Sequence, residues 1–348
     1  MSQKFHDLEI TRVIKETPSS VSISFAIPQN LQETFKYKNG QYITVKKDVQ
    51  GQEVRRSYSL CSAPQMDQDF TIAVKEVRNG KLSPVLNNCK VGDKLAISAP
   101  EGNFVLNETV SNLYLYAGGS GVTPVISILK QALIANTKCT FVYANTEPDE
   151  IIFQEEINNL EAKYQEQLQL IHFIESNANK VAGAHEGRIN AALFHQLKGD
   201  AAFASSKHFI CGPSPMMKLI ETSLQDQGIQ KENIVLEYFE APEENLADTS
   251  ATGFSGDANV KVILDDEEIN VSVNENETIL SALLREGVDA PYSCQGGVCA
   301  SCRALVSDGE VYLSQNLGIT DGEVAEGFTL TCSSYPRSKE VVINFDEA

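Results

Sequence analysis

The sequence has no run of about 18 uncharged apolar residues, the length that a membrane-spanning helix requires. Its longest apolar stretch, residues 122–135, is interrupted by Lys130 and Gln131. The first seven residues are mainly polar and lack the apolar core of a secretory signal peptide. The five histidines do not have the spacing of metal ligands. We therefore expect a cytoplasmic protein with no membrane span and no histidine-bound metal.

Basic residues are scarce in the last third of the chain. From residue 241 to the end there are 20 acidic and 5 basic residues, a net charge of −15, whereas the preceding 240 residues hold 27 and 23, a net charge of −4. Binding to nucleic acid is disfavoured because the phosphate backbone would be repelled. An acidic module can be steered towards a basic patch on a redox partner, although acidity can also serve solubility alone.

Four cysteines near the C-terminus follow the pattern C-x4-C-x2-C with a fourth after 29 further residues, the spacing of a plant-type [2Fe–2S] cluster. They are Cys294, Cys299, Cys302 and Cys332. Between the first two, Gly296 and Gly297 let the chain wrap closely around inorganic sulfide. A zinc site would more often contain two C-x2-C pairs, and structural disulfides would require an oxidising compartment. We predict a cluster, and because it transfers one electron at a time, another group in the chain must supply that electron.

The chain divides into three blocks and one linker. Residues 1–106 contain short alternating strands separated by turn residues, which predicts an antiparallel β-barrel. Residues 107–240 alternate strands with helices, which is typical of a parallel α/β domain. Among these elements we expect strands at 168–174 and 234–239 and a helix over 150–165. Residues 241–257 lack apolar periodicity and are predicted to be the linker. Residues 258–348 begin with a hairpin and a short amphipathic helix ahead of the cysteine loop.

Two glycine-containing loops follow predicted strands of the second block. GGSGVTP at residues 118–124 follows a strand at 113–117, and CGP at 211–213 follows a strand at 208–211. Glycines let the backbone approach a pyrophosphate, and the next helix presents free N–H groups to it. The first loop departs from G-x-G-x-x-G because Pro124 replaces the third glycine, so alone it could be a sharp strand-to-helix turn. Two such strand ends on one sheet predict a nucleotide crevice.

A third motif, RSYS at residues 56–59, lies in the barrel block. Its arginine and hydroxyl groups can bind phosphate and its tyrosine can pack on an aromatic ring, but alone it could be an edge strand. GKLS at 80–83 and EYF at 237–239 complete the pattern. In this order the motifs and cysteines resemble the ferredoxin–NADP reductase superfamily with a fused C-terminal plant-type ferredoxin. Within it, the sequence is most similar to reductase components of bacterial oxygenases, of the phenylacetyl-CoA epoxidase type.

The resemblance implies FAD, with FMN as the less expected flavin, and an α+β, β-grasp fold for the ferredoxin domain. It implies flavin contacts for Arg56, Ser57, Tyr58, Ser59, Gly80, Ser83 and Phe239. It implies nucleotide contacts for Gly118, Gly119, Gly121, Thr123, Cys211, Gly212 and Pro213. The catalytic residues that it implies are Ser59, near flavin N5, with Cys211 and Glu237, near nicotinamide C4.

The expected function is that of an NAD(P)H-dependent reductase, which takes hydride onto FAD and passes single electrons through the cluster to an oxygenase or another redox protein. A flavin is needed because NAD(P)H gives two electrons and the cluster takes one. Thr146 and Glu147 stand where a 2′-phosphate would want a basic residue, which favours NADH, but Arg188 leaves NADPH open. Alternatives are the reductase of a ring-hydroxylating dioxygenase or steroid hydroxylase, or a redox-sensing regulatory protein.

Overall fold

The computed structural model describes residues 3–240 and 256–348. The chain forms two compact units. The larger unit contains His6–Val54 and Tyr58–Glu237, and the smaller contains Met1–Phe5, Arg55–Ser57 and Tyr238–Ala348. The predicted linker lies outside the described residues as far as residue 255. Within the described ranges, none of the helices is both long and apolar enough to cross a membrane; the cytoplasmic location stays a prediction.

Six antiparallel strands form the first sheet. They are β1 (Phe5–Thr17), β2 (Ser20–Phe25), β3 (Tyr42–Val49), β4 (Gln52–Ser59), β5 (Phe70–Lys75) and β6 (Lys94–Ser98). Their order is β4-β3-β6-β1-β2-β5. Leu60, which follows β4, pairs with Ile72 of β5 and so joins the two edge strands. The sheet therefore closes into the predicted barrel, whose interior is filled by side chains such as Leu8, Ile23 and Ile43, all fully buried.

A short helix, α1 (Ser83–Leu86), follows β5, and the nucleotide block then alternates strands and helices. Its strands are β7 (Asn112–Gly118), β8 (Lys138–Asn145), β9 (Leu168–Ile174), β10 (His185–Glu186), β11 (Lys207–Cys211) and β12 (Ile234–Glu237). Its helices are α2 (Val122–Ile134), α3 (Gln154–Lys163), α4 (Ala191–Leu197) and α5 (Ser214–Asp226). All strand pairs are parallel, in the order β10-β9-β8-β7-β11-β12. This confirms the predicted parallel α/β sheet.

The strand order reverses between β7 and β11, because the chain adds β8, β9 and β10 on one side of β7 and then β11 and β12 on the other. Helix N-termini follow the carboxyl ends of both β7 and β11. Such a reversal opens a crevice at the carboxyl edge of a parallel sheet, where nucleotides bind in folds of this type. The two loops with glycines that the sequence singled out lie at this crevice.

Helix α2 carries a buried lysine. Lys130 is 3 % exposed, and its Nζ lies 2.8 Å from Asp67 Oδ2 and 2.5 Å from Glu156 Oε1 of α3. The ammonium also donates to the carbonyl oxygen of Cys61. Burial alone would lower its pKa, but Glu156 and Asp67 raise it above the ordinary value. The ion pairs thus fasten α2 and α3 to the loop that follows β4.

We expect Lys130→Met to destabilise the larger unit by about 2 kcal/mol, because two carboxylates lose their cation. The loss should stay below the ~3–5 kcal/mol typical of fully buried pairs, since both carboxylates keep partial access to water. Urea unfolding followed by circular dichroism measures the difference. Lys198→Met, on an exposed lysine, is the matched control. Equal midpoints for both variants would contradict a stabilising role for the buried lysine.

The C-terminal part folds as a mixed sheet with helices packed against it. Its strands are β13 (Ala258–Leu264), β14 (Glu267–Val273), β15 (Arg303–Asp308), β16 (Val311–Leu313), β17 (Phe328–Leu330), β18 (Ser334–Pro336) and β19 (Glu340–Asn344). Its helices are α6 (Ile279–Arg285) and α7 (Asp321–Ala325). The five-stranded sheet has the order β14-β13-β19-β15-β17, and β13 and β19 pair in parallel at its centre. This is the α+β ferredoxin fold that the resemblance implies.

Candidate functional site

The hydroxyl of Ser59 meets the carboxyl group of Glu237 at the edge of the larger unit's sheets. Ser59 is the last residue of β4 and Glu237 the last of β12, and Ser59 Oγ donates to Glu237 Oε2 at 3.2 Å. Cys211, the last residue of β11, lies beside Glu237 in the parallel register. Three strand ends thus bring together the three residues that were expected to act in catalysis.

Burial disfavours the ionised forms of two groups at this site, the Glu237 carboxyl group and the Cys211 thiol. It raises the pKa of Glu237 to about 8, and the hydrogen bond from Ser59 offsets part of the effect. The pKa of the fully buried Cys211 thiol is raised well above its usual value by burial and by the nearby Glu237 carboxyl group. At neutral pH the site therefore holds a protonated carboxyl group and a thiol, with no fixed negative charge.

Glycines allow the two nucleotide loops to touch. A Cβ on Gly121 would lie 2.2 Å from the carbonyl oxygen of Cys211, and a Cβ on Gly118 would lie 2.6 Å from the ring of Pro213. A Cβ on Gly212 would in turn lie 2.9 Å from the backbone nitrogen of Gly118. Side chains at these positions would force the loops apart. The cradle that they form fits a pyrophosphate bound against backbone N–H groups.

The rest of the first loop is shaped by contacts within the protein. Gly119 has a φ of +51°, and a Cβ there would meet no atom within 4 Å, so its surface is open. Thr123 is 2 % exposed, and its hydroxyl donates to the carbonyl oxygen of Ser120. Thr123 therefore braces the loop, and its contact with a nucleotide stays a prediction. Tyr143 was missed by the sequence reasoning, although its hydroxyl donates to the carbonyl oxygen of Gly119 at 3.2 Å.

Some residues predicted to contact the flavin already make contacts within the protein, and others are accessible. Arg56 donates to the carbonyl oxygen of Arg55, and Tyr58 packs partly buried against the barrel core. Ser57 Oγ lies 2.8 Å from Ser293 Oγ, and both residues belong to the smaller unit. Phe239 is 41 % exposed, which leaves its ring available to a flat ligand.

The predicted phosphate contacts after β5 form a tight turn. Ser83 begins α1, and its Oγ accepts the N–H of Val77 at 3.0 Å. Gly80 closes the turn, because its own N–H donates to the carbonyl oxygen of Val77 and a Cβ on it would lie 2.8 Å from Ser83 Oγ. A small residue is thus required at position 80. The hydroxyl at position 83 is fixed in place ahead of a helix.

The four cysteines of the smaller unit converge, and backbone N–H groups point at their sulfurs. Cys294 Sγ accepts from the N–H groups of Gly296 and Val298, both at 3.4 Å. These bonds, together with larger contributions from the Cys299 and Cys332 thiols, lower the pKa of Cys294. A set of cysteine sulfurs that faces backbone N–H donors fits a [2Fe–2S] cluster, whose sulfurs are electron-rich.

Three family models match the chain in the predicted order. The oxidoreductase FAD-binding domain matches residues 7–106, the oxidoreductase NAD-binding domain 115–222, and the 2Fe-2S iron-sulfur cluster binding domain 262–337. A subunit of the 1,2-phenylacetyl-CoA epoxidase of Escherichia coli is 32 % identical over 98 % of this chain and 98 % of that protein. The ferredoxin reductase component of 3-ketosteroid-9-alpha-monooxygenase of Rhodococcus rhodochrous is 34 % identical over 97 % and 96 %.

The chain belongs to the oxygenase reductase family. Phthalate dioxygenase reductase has the same fold, with a TM-score of 0.61 at 23 % identity over 98 % of both chains. These matches confirm the superfamily resemblance, FAD, the [2Fe–2S] centre and an NAD(P)H-dependent oxidoreductase. The relatives of this oxygenase reductase are reductase components that pass electrons to oxygenase partners.

Proposed function

We propose that this oxygenase reductase transfers hydride at the site of Ser59, Cys211 and Glu237. The single observation that carries the proposal is the hydrogen bond between Ser59 and Glu237 beside the glycine cradle. FAD, when bound, accepts two electrons from NAD(P)H and releases them singly to the [2Fe–2S] centre. The neutral carboxyl group of Glu237 keeps a negative charge away from the place where hydride, itself negative, is transferred.

In this proposal, the other predicted residues bind the flavin or the nucleotide, or cover the flavin ring. Arg56 and Ser83 hold the flavin phosphates, Tyr58 packs on the flavin ring, and Phe239 covers it. The remaining predicted contacts shape the two binding sites. They are Ser57 and Gly80 on the flavin side, and Gly118, Gly119, Gly121, Thr123, Gly212 and Pro213 on the nucleotide side. We also propose the domain limits 1–106, 107–240 and 258–348, which stay predictions.

We propose that the protein prefers NADH, because Arg188 is already paired. Its Nε lies 2.9 Å from Glu175 Oε1, and its Nη2 donates to Glu175 Oε2 at 3.0 Å. Glu175 follows β9, and its N–H donates to the carbonyl oxygen of Asn145, the last residue of β8. The ion pair therefore lies at the carboxyl edge of the sheet, next to Thr146. A 2′-phosphate would have to displace one carboxylate while being repelled by it.

Glu175→Gln should raise kcat/KM for NADPH about tenfold, which corresponds to about 1.4 kcal/mol, and leave that for NADH nearly unchanged. The reason is that Arg188 becomes free to meet a 2′-phosphate. Steady-state kinetics with both coenzymes measure the change. Adding Arg188→Ala to the variant should cancel the gain, and a gain that survives would show that another residue binds the phosphate.

We propose that the acceptor is an oxygenase component of the phenylacetyl-CoA epoxidase type. The support is the full-length similarity to one subunit of the Escherichia coli enzyme. A 3-ketosteroid monooxygenase is the second candidate, because its reductase component is as similar. Anaerobic purification should yield a coloured protein, and NADH-driven turnover with each purified oxygenase component distinguishes the two. A colourless protein, or one that supports neither reaction, would contradict the proposal.

The acidic surface of the smaller unit is proposed as the docking surface for this acceptor. Its C-terminal segment, residues 241–348, has five basic residues, and three of them, Lys261, Arg285 and Arg303, are each paired with a glutamate. Most of its carboxylates are exposed. The charge that an approaching partner meets is therefore strongly negative.

Electron transfer to a basic protein acceptor should slow at least about tenfold when ionic strength rises from about 0.01 to 0.1 M, because screening shortens the reach of the surface charge. Cytochrome c reduction under saturating NADH measures the effect. Reduction of a small neutral quinone is the control and should hardly change. If the rate at which the protein acceptor is reduced does not change with ionic strength, electrostatic docking is contradicted.

A further inference from the structure

Residues 314–319, here called the cluster strap, run along the cysteine loop and are attached at both sides. Leu317 donates its N–H to the carbonyl oxygen of Gly297 at 2.9 Å. On the other side, Ser333 Oγ donates to the carbonyl oxygen of Gln315 at 2.7 Å. Ser333 follows Cys332 directly in the chain. The strap therefore links the segment of the fourth cysteine to the loop that holds the other three.

Gln315 packs against the glycine that donates to the fourth cysteine. Gly297 has a φ of +70°, and a Cβ on it would lie 2.7 Å from the carbonyl oxygen and 2.8 Å from Cγ of Gln315. Held there, the N–H of Gly297 donates to Cys332 Sγ at 3.2 Å. Movement of Gln315 would thus alter the hydrogen bond on that sulfur.

The side chain of Gln315 is itself polar and enclosed. The residue is 9 % exposed, and within the described residues its Oε1 is buried without a hydrogen-bond partner. An unpaired buried polar atom costs ~1–3 kcal/mol. An amide in this position is expensive for a purely packing role, which leucine or methionine would fill without that cost. Its amide N–H groups are donors, which electron-rich sulfurs favour.

We propose that Gln315 is a positioning residue that sets the reduction potential of the [2Fe–2S] centre. It does so by holding the Gly297 N–H on Cys332 Sγ, and Ser333 keeps Gln315 in place. The inference rests on the proposed function, because it requires that the protein binds the cluster. Hydrogen bonds to the sulfurs favour the reduced, more negative state, so they raise the potential. Weakening them should make the centre harder to reduce.

The test uses the full-length holoprotein and an EPR-monitored redox titration. Gln315→Ala, which removes the Cγ that lies against Gly297, and Ser333→Ala should each shift the balance between reduced and oxidised cluster about tenfold towards the oxidised form, which is about 59 mV for one electron. The potential of FAD, followed by absorbance, should stay the same. Ser338→Ala is the matched control, because its Oγ also donates to a carbonyl oxygen, that of Glu340 at 2.8 Å, and should leave the cluster potential unchanged.

A double variant separates this role from general loosening of the fold. If Ser333 acts through Gln315, the shift in the double variant should equal the larger single shift, whereas additive shifts would overturn the proposed link. Unchanged potentials in both single variants would overturn the proposal itself. If Gln315→Ala binds no cluster, the milder Ser333→Ala decides alone. A wild-type protein without a cluster would instead refute the proposed function.

Discussion

A Cys299→Ser variant is expected to oxidise NADH with a small artificial acceptor and to reduce cytochrome c at least about 100-fold more slowly than the wild type, because the cluster loses a thiolate ligand. Serine oxygen is a harder ligand than the soft thiolate that iron–sulfur clusters prefer. Cys299 Sγ also accepts the N–H of Cys294 at 3.4 Å, so the change disturbs the loop around a second ligand. Ser59, Glu237 and the two nucleotide loops belong to the larger unit and should be unaffected.

Three signals are compared: the reduction of ferricyanide, which takes electrons directly from the flavin, the reduction of cytochrome c, and the EPR signal of the reduced cluster. Cys89→Ser is the control, because Cys89 lies outside the cluster loop and its sulfur donates to the carbonyl oxygen of Val85 in α1 at 3.7 Å. Full-rate cytochrome c reduction by Cys299→Ser would place the electron exit at the flavin and refute the proposed route through the cluster.

The regular elements of the nucleotide block were predictable because their apolar residues follow one period over a whole element. The strand expected at 168–174 matches β9, and the helix after Gly121 is α2. The helix expected over 150–165 is shorter, since Phe153 adopts a left-handed φ of +61° and α3 begins only at Gln154. The strand expected over 234–239 ends at Glu237. Local backbone geometry of this kind leaves no periodic signal.

Other strands have no apolar periodicity in the sequence from which they could be predicted. Strand β1 was not predicted, because charged residues interrupt its apolar positions and only Leu8 and Ile10 are fully buried. Most strands of the ferredoxin fold after the cysteine loop are three to six residues long and are stabilised by distant partners, as in the parallel pairing of β13 with β19. Such short strands depend on tertiary contacts rather than on propensity.

The candidate site was predictable as a set of residues but not as a geometry. Motif order placed Ser59 and Glu237 at one site, yet the bond between them joins residues 178 positions apart. The pairing of Arg188 with Glu175 likewise depends on how β9 and β10 meet. The link from Tyr143 to Gly119 joins neighbouring parallel strands and has no sequence spacing of its own. Contacts made across a sheet require the fold before they can be inferred.

The rate of flavin reduction by NADH should fall as pH rises through about 8, the pKa of Glu237, because the carboxylate that then forms opposes the arrival of hydride. Glu237→Gln keeps an oxygen for the Ser59 hydroxyl but cannot ionise, so its rate should stay within about threefold of the wild type at neutral pH and no longer fall. Glu237→Ala should be about 100-fold slower at every pH, because Ser59 loses its partner and the reacting groups lose their alignment.

Anaerobic stopped-flow absorbance measures these rates, and deuterated NADH shows whether hydride transfer limits them. Stability gives a second reading that does not depend on turnover. The pKa of Glu237 is raised in the folded protein, so its contribution is fully present below about 4.5 and is lost as pH rises through about 8. Glu237→Gln should therefore flatten the decline in the free energy of unfolding over that range. If its flavin reduction still falls through pH 8, the titrating group is another one, and the proposed role of Glu237 is wrong.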